Sequence, residues 1–168
     1  MAHFARVDLS SNRVLQLVVA SQEYINSGKL GPPEEFIQYS YNTIGGVYYD
    51  RNPDGSITKS NDQSKALRKN PASVGGYYDP DADAFYIPSP YNTWELNMDT
   101  FQWEPPVPPP NSENTTTSFV WVEEIDTENT KTIIMKDKPK NNDGSDYVSF
   151  EAPIIWKGKW VEKESVSE

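Results

Sequence analysis

Three aspartates at alternate positions, Asp79, Asp81 and Asp83, are the first residues whose spacing could do chemistry. Oxygen ligands at positions one, three and five open a helix–loop–helix calcium loop. The match ends there. The sixth position is Ala84 where the sharp turn needs glycine, and the twelfth is Pro90 where a bidentate glutamate belongs. These residues read as turn acids, and no metal or other cofactor is expected. His3 is the single histidine, at the start of a strand-like segment, so a Ser-His-Asp set or a two-histidine metal site has no partners. The 25 acidic residues leave a carboxylate pair for glycoside hydrolysis formally open, yet no spacing singles out two of them. Gly45-Gly46 and Gly75-Gly76 are isolated pairs and do not form a phosphate-cradling loop. No catalytic residue is assigned, and the expectation is a protein that is not an enzyme.

The remaining candidates are rings and prolines. Tyr77, Tyr78, Phe85, Tyr86, Tyr91, Trp94, Phe101, Trp103, Trp121, Trp156 and Trp160 lie on or beside predicted strands. There, such rings either build a core or anchor an interface, and they also stack on sugars. With leucine scarce, most of them are expected to replace the missing aliphatic interior. For contact with other molecules the chosen residues are Tyr91, Trp94, Trp103 and Trp121, with Pro105 and Pro108 of the segment EPPVPPP. That segment satisfies PxxP, but it has no basic neighbour and reads as a stiff polyproline spacer.

The elements that must position these groups are short. Strand alternation over His3–Asp8 and Val14–Ala20 around Leu9-Ser10-Ser11-Asn12 predicts a hairpin. Ser21 caps a short helical turn that ends at Ser27-Gly28, and Gly31 to Gln38 opens a second short helix, with Ile37–Asn42 as a strand alternative. Hairpins follow across Asn52-Pro53-Asp54-Gly55, across Asp79–Asp83 and across Asn97–Thr100. Between the first two, residues 60–70 read as a short surface helix bearing Lys65, Arg68 and Lys69 beside Lys59. Further on, Phe119–Ile125 and Lys131–Met135 pair across Asp126–Asn129, residues 136–146 form a charged loop, and Lys157-Gly158-Lys159 turns between two short strands. The last residues, 162–168, are expected to fray. The expected fold is mainly β: small antiparallel sheets built from consecutive hairpins, one or two short helices, a polyproline segment and an extended C-terminal β arm. The expected division is a β-rich body at 1–110, a polar linker at 111–118 and a hairpin arm at 119–168.

Composition narrows the partners. The charge is 15 − 25 = −10 over 168 residues, which repels phosphate backbones and argues against nucleic acid. There is no cysteine, which removes disulfides and thiol chemistry. The longest apolar run, Leu15 to Ala20 interrupted by Gln16, is too short for a bilayer helix, and no leader pattern precedes it. Hydrophobic residues make up 36%, low for a globular chain, so added stability from burial against a partner is expected.

Several stretches resemble a family of small proteins of marine tailed bacteriophages, notably cyanophages and pelagiphages. They are MAHFARVD and NRVLQLVVAS at the start, QYSYNTIGG at 38–46, ALRKNPASVGGYYDPDADAFYIPSPYNTWELNMDTFQWEPPVP at 66–108, and SFVWVEE at 118–124. The resemblance covers residues 1–124; relatives stop soon after one terminal hairpin, whereas this chain continues to Glu168. It implies a virus-encoded origin and a virion location after assembly in the host cytoplasm, and it carries over no catalytic residue. It hands over no mechanism. With the small, acidic, cysteine-free, β-rich character of the chain it favours a structural component of the virion, above all a capsid decoration (cement) protein that bridges capsid subunits through its aromatic and proline-rich surfaces. Its partners would be the major capsid protein, other virion proteins or its own copies. A tail- or fibre-associated adhesin for host-surface carbohydrate, and an intracellular factor binding a host protein, are the alternatives.

Overall fold

The computed structural model describes residues 1–110, 118–134, 148–150 and 153–163. The chain divides into two compact units, Met1–Pro90 with Leu96–Glu104, and Tyr91–Glu95 with Pro105–Glu168. The fold is mainly β, in several small antiparallel sheets with one α-helix. The expected linker at 111–118, except Ser118, and the charged loop at 136–146 lie outside the described residues, as do 164–168 of the expected frayed end.

In the first unit, β1 (Ala2–Asp8) and β2 (Arg13–Ala20) form the expected hairpin. Asp8 closes it by accepting the Ser10 amide at 2.9 Å and the Ser10 and Ser11 hydroxyls at 2.7 and 2.9 Å. These bonds to the charged carboxylate hold its pKa below the ordinary value. Leu15 has no partner in the ladder: the register slips between Arg6 and Val7, which leaves a bulge on β2. Ser21 caps α1 (Gln22–Asn26), accepting the Tyr24 amide at 3.1 Å. The helix expected after Gly31 is a single 3-10 turn, Pro33–Glu35, because the backbone is already extended at Phe36. There β3 (Phe36–Tyr39) begins and pairs with the outer side of β1. Next, β4 (Thr43–Ile44), β5 (Val47–Arg51) and β6 (Ile57–Lys59) form a three-stranded sheet.

The surface helix expected over 60–70 is absent. A 3-10 turn at Gln63–Lys65 is followed by extended Ala66 and by Arg68 and Lys69 in the left-handed region, φ 54° and 55°. Buried Asn70 accounts for this path. Its Oδ1 accepts the Gly45 amide at 2.9 Å, and its Nδ2 donates to Phe85 O, Thr100 O and Phe101 O at 3.2, 2.9 and 3.0 Å. One side chain thus joins two turns and a strand, a stronger constraint than the weak helix preference of this segment. The lysines and arginine do not form one basic patch. Lys65 lies 3.5 Å from Asp62, Arg68 3.1 Å from Asp83, and Lys69 donates to Met98 O at 3.2 Å.

The hairpin of β7 (Tyr77–Asp79) and β8 (Ala84–Tyr86) forms as its turn chemistry predicts. Asp79 accepts the Asp81 and Ala82 amides, each at 2.9 Å, and Asp83 accepts the Tyr78 hydroxyl at 2.6 Å. Together the larger sheet runs β3-β1-β2-β7-β8 and carries a buried cluster on each face. Ala5, Val7, Val14, Tyr39, Ala72 and Phe85 cluster on one side; Phe4, Ala20, Ile25 and Phe36 cluster on the other. Each large ring buried this way contributes about 1.5–3 kcal/mol. The β9 (Glu95–Asn97) and β10 (Gln102–Glu104) hairpin turns on Asn97, which accepts the Asp99 and Thr100 amides at 2.9 and 3.2 Å.

The second unit departs from the expected pairing. Its strands are β11 (Phe119–Ile125), β12 (Thr132–Ile134), β13 (Val148–Phe150) and β14 (Trp156–Glu162). β11 pairs with β14, from Phe119↔Glu162 to Ile125↔Trp156, and β12 pairs with β13. The expected 119–125 hairpin with 131–135 therefore does not form. The turn that was to close it is held to a distant segment: Asp126 N donates to Ile155 O at 2.8 Å, and buried Thr130 exchanges two bonds with Ile155. The expected turn at Lys157–Lys159 lies in the middle of β14.

Candidate functional site

The second unit is built around a layer of rings fastened by one carboxylate. On β11, Trp121 and Glu123 point to the same face, as the alternation of a strand requires. Across the ladder they face Trp160 and Gly158 of β14. Trp121 is only 3% exposed, and its indole lies where a side chain at position 158 would stand: a Cβ there would sit 2.4 Å from Trp121 Cζ2. Glycine is present to admit the ring, and no turn is involved. Trp121 meets Trp160 edge-on at 5.3 Å and Trp94 at 6.4 Å, and Trp94 meets Tyr91 at 5.0 Å.

Glu123 places the loop that carries Tyr91 and Trp94. Its Oε2 accepts the Asn92 amide and side chain at 2.8 and 3.1 Å; its Oε1 accepts the Thr93 amide at 2.8 Å, the Thr93 hydroxyl, and Trp121 Nε1 at 3.3 Å. Desolvation would raise its pKa. The hydrogen bonds from Thr93 and Asn92 outweigh that effect and hold the carboxyl down to about 2, against an ordinary 4.5. A carboxylate saturated by donors has no basicity to offer as a general base. Its work is positional. Trp94 Nε1 is buried and has no acceptor among the described residues.

The chosen contact residues separate. Tyr91, Trp94 and Trp121 come together in this layer, with Trp121 inside and the other two half-buried. Trp103 belongs to the first unit, half-buried, its Nε1 donating to Ile87 O at 2.8 Å. Pro105 is half-buried and Pro108 exposed, on a segment bent at residues 106–107; Trp160 Nε1 donates to Val107 O at 2.9 Å. His3 stacks against Tyr41 at 5.9 Å. Glu123, Thr93 and Gly158 were not singled out by sequence. The available signal was the alternation Trp121-x-Glu123, which puts a ring and a carboxylate on one strand face.

The reverse face of the β11–β14 ribbon is exposed and carries three valines together with Lys159, Lys157 and Glu124. Val120 pairs with Val161 and Val122 with Lys159; the three valines are 42%, 36% and 44% exposed in the order Val120, Val161, Val122. The Glu124–Lys157 ion pair, 3.5 Å, borders them, beside a shallow hollow of about 260 Å³. Comparison with protein-family models, curated proteins and solved structures gives no match.

Proposed function

We propose that this chain is a non-enzymatic structural component of a tailed-phage virion, a decoration protein that rests on the capsid through its second unit. The observation that carries the reading is the exposed face of the ribbon, where Val120, Val122 and Val161 stand among Lys159, Lys157 and Glu124 while tryptophans pack the other face. A two-stranded ribbon is marginal alone, and exposed valines among charged side chains gain by lying on another protein. Tyr91 and Trp94, half-buried, back the ribbon from the Trp121 face. The phage setting comes from the resemblance over residues 1–124. Neighbouring rings meet at 39°, 72° and 73°, a wedge of edges and not a flat stacking platform, which favours protein contact over sugar. Many weak copies on a symmetric shell combine into lasting attachment. The test compares particles with and without the protein by heating them until the genome is released. Particles without it should open at lower temperature, and adding back the purified chain should restore the difference. Equal release temperatures would refute the cement role.

A further inference from the structure

Strand β2 has one side that is paired only at its start. Its inner side pairs with β1 along the whole strand, but on the outer side β7 reaches only Arg13 and Val14. Those contacts are the Arg13↔Tyr77 pair and the bonds between Val14 and Gly75-Gly76, both 2.9 Å. From Leu15 to Ala20 no strand is paired on that side among the described residues. Leu15, Leu17 and Val19 along this edge are 50%, 37% and 57% exposed. An edge strand is ordinarily blunted by lysine, proline or inward charge. Beyond the bulge at Leu15, this one has none of them.

We propose that this edge pairs with the same edge of a second copy, antiparallel about a two-fold axis, with Leu17 opposite Leu17 of the other protomer. Charge selects this occupant. Residues 14–22 carry no charge in a chain of net −10, so two acidic molecules can approach here without like charges meeting. The flanking charges are Arg13 at one end and Glu23 at the other, both exposed. Pairing runs from Leu15 to Val19 only, because the outer side of Arg13 and Val14 is already taken by Tyr77 and Gly75-Gly76. Leu15 then faces Val19 of the other copy, and the exposed apolar side chains form one continuous row. The contact is isologous and closes on itself, giving a dimer and no fibre. Its area is small, in the weak class below about 1,200 Å² in total, so association in the micromolar range is expected. The proposal is independent of what the valine face of the second unit touches.

Sedimentation velocity on the full chain, over a wide concentration range, reads the equilibrium directly. The wild type should show a monomer–dimer equilibrium, and Val19→Lys should weaken it about tenfold or more by setting an ammonium against the partner's Leu15. Circular dichroism melting checks that the variant is folded. Since the chain lacks cysteine, Leu17→Cys tests the register. Mild oxidation should link two copies through position 17, whereas Leu9→Cys, in the exposed β1–β2 turn, should not cross-link. A wild type that remains monomeric at its highest soluble concentration overturns the proposal. Dimerisation unaffected by Val19→Lys, or equal cross-linking at positions 9 and 17, also overturns it.

Discussion

Replacing Glu123 with glutamine keeps the shape of the clamp and removes its charge. The two oxygens accept from Asn92 and from Thr93 with Trp121, so every position around the carboxylate is a donor. An amide must turn its NH2 toward one of these groups and set donors against donors. A hydrogen bond to a charged group is worth about 1.5–3 kcal/mol, and several are weakened here. The fall in pKa from 4.5 to about 2 sets a ceiling near 3 kcal/mol for the charge alone. The site is partly wet, and screening reduces this to about 1–2 kcal/mol. The sign follows from linkage. The folded pKa lies below the unfolded one, so the contribution is fully present above pH 4.5 and disappears as pH falls from there toward 2. Asp8, Asp54, Asp62 and Asp126 also have lowered pKa values from local hydrogen bonds, and their contributions fall away in the same direction. Both proteins share those groups, so the wild-type minus Glu123→Gln difference isolates the clamp. Denaturant unfolding followed by tryptophan fluorescence at several pH values gives that difference. It should be about 1–2 kcal/mol at pH 7 and shrink toward zero near pH 2. A difference that is absent at pH 7, or constant across the acid range, refutes the reasoning.

Other substitutions test the remaining contacts. Gly158→Ala forces a methyl into the Trp121 ring and should cost about 1–3 kcal/mol with a shift in tryptophan emission; an unchanged melt would contradict the packing. Asn70→Ala leaves the Gly45 amide and the Phe85, Thr100 and Phe101 carbonyls without this partner and should cost about 3 kcal/mol in the first unit, read by denaturation with hydrogen exchange at Gly45. Val122→Lys, at an exposed position, should change stability by less than about 0.5 kcal/mol yet weaken binding of the purified chain to particles lacking it. Binding equal to wild type would remove the valine face from the account.

The hairpins around Asp8, Asp54, Asp79 and Asn97 were legible because each turn is closed by a side chain within three residues of it. That information is local and survives in a single sequence. The short cap at Ser21 was legible for the same reason. The pairing of β11 with β14 was not. It spans a long separation and is chosen by how Trp121 fits over Gly158, which composition and alternation do not express. Glycine between two lysines was read as a turn for want of that knowledge. Asn70 was hidden likewise: an ordinary polar residue in a basic stretch, its weight comes from partners 15 to 31 positions away. The expectation that most of the eleven rings fill the core does not hold: Phe85, Phe101 and Trp121 are buried, and the other eight are half-buried. Which rings would stay at the surface depended on strand faces set by the pairing.

The proposed decoration role is tested most directly by quantitative mass spectrometry of purified tailed-phage particles, with the major capsid protein as the internal standard. A decoration protein should be present in hundreds of copies, in fixed proportion to the capsid protein. Its absence from the particles, or a handful of copies at the tail, would contradict the account.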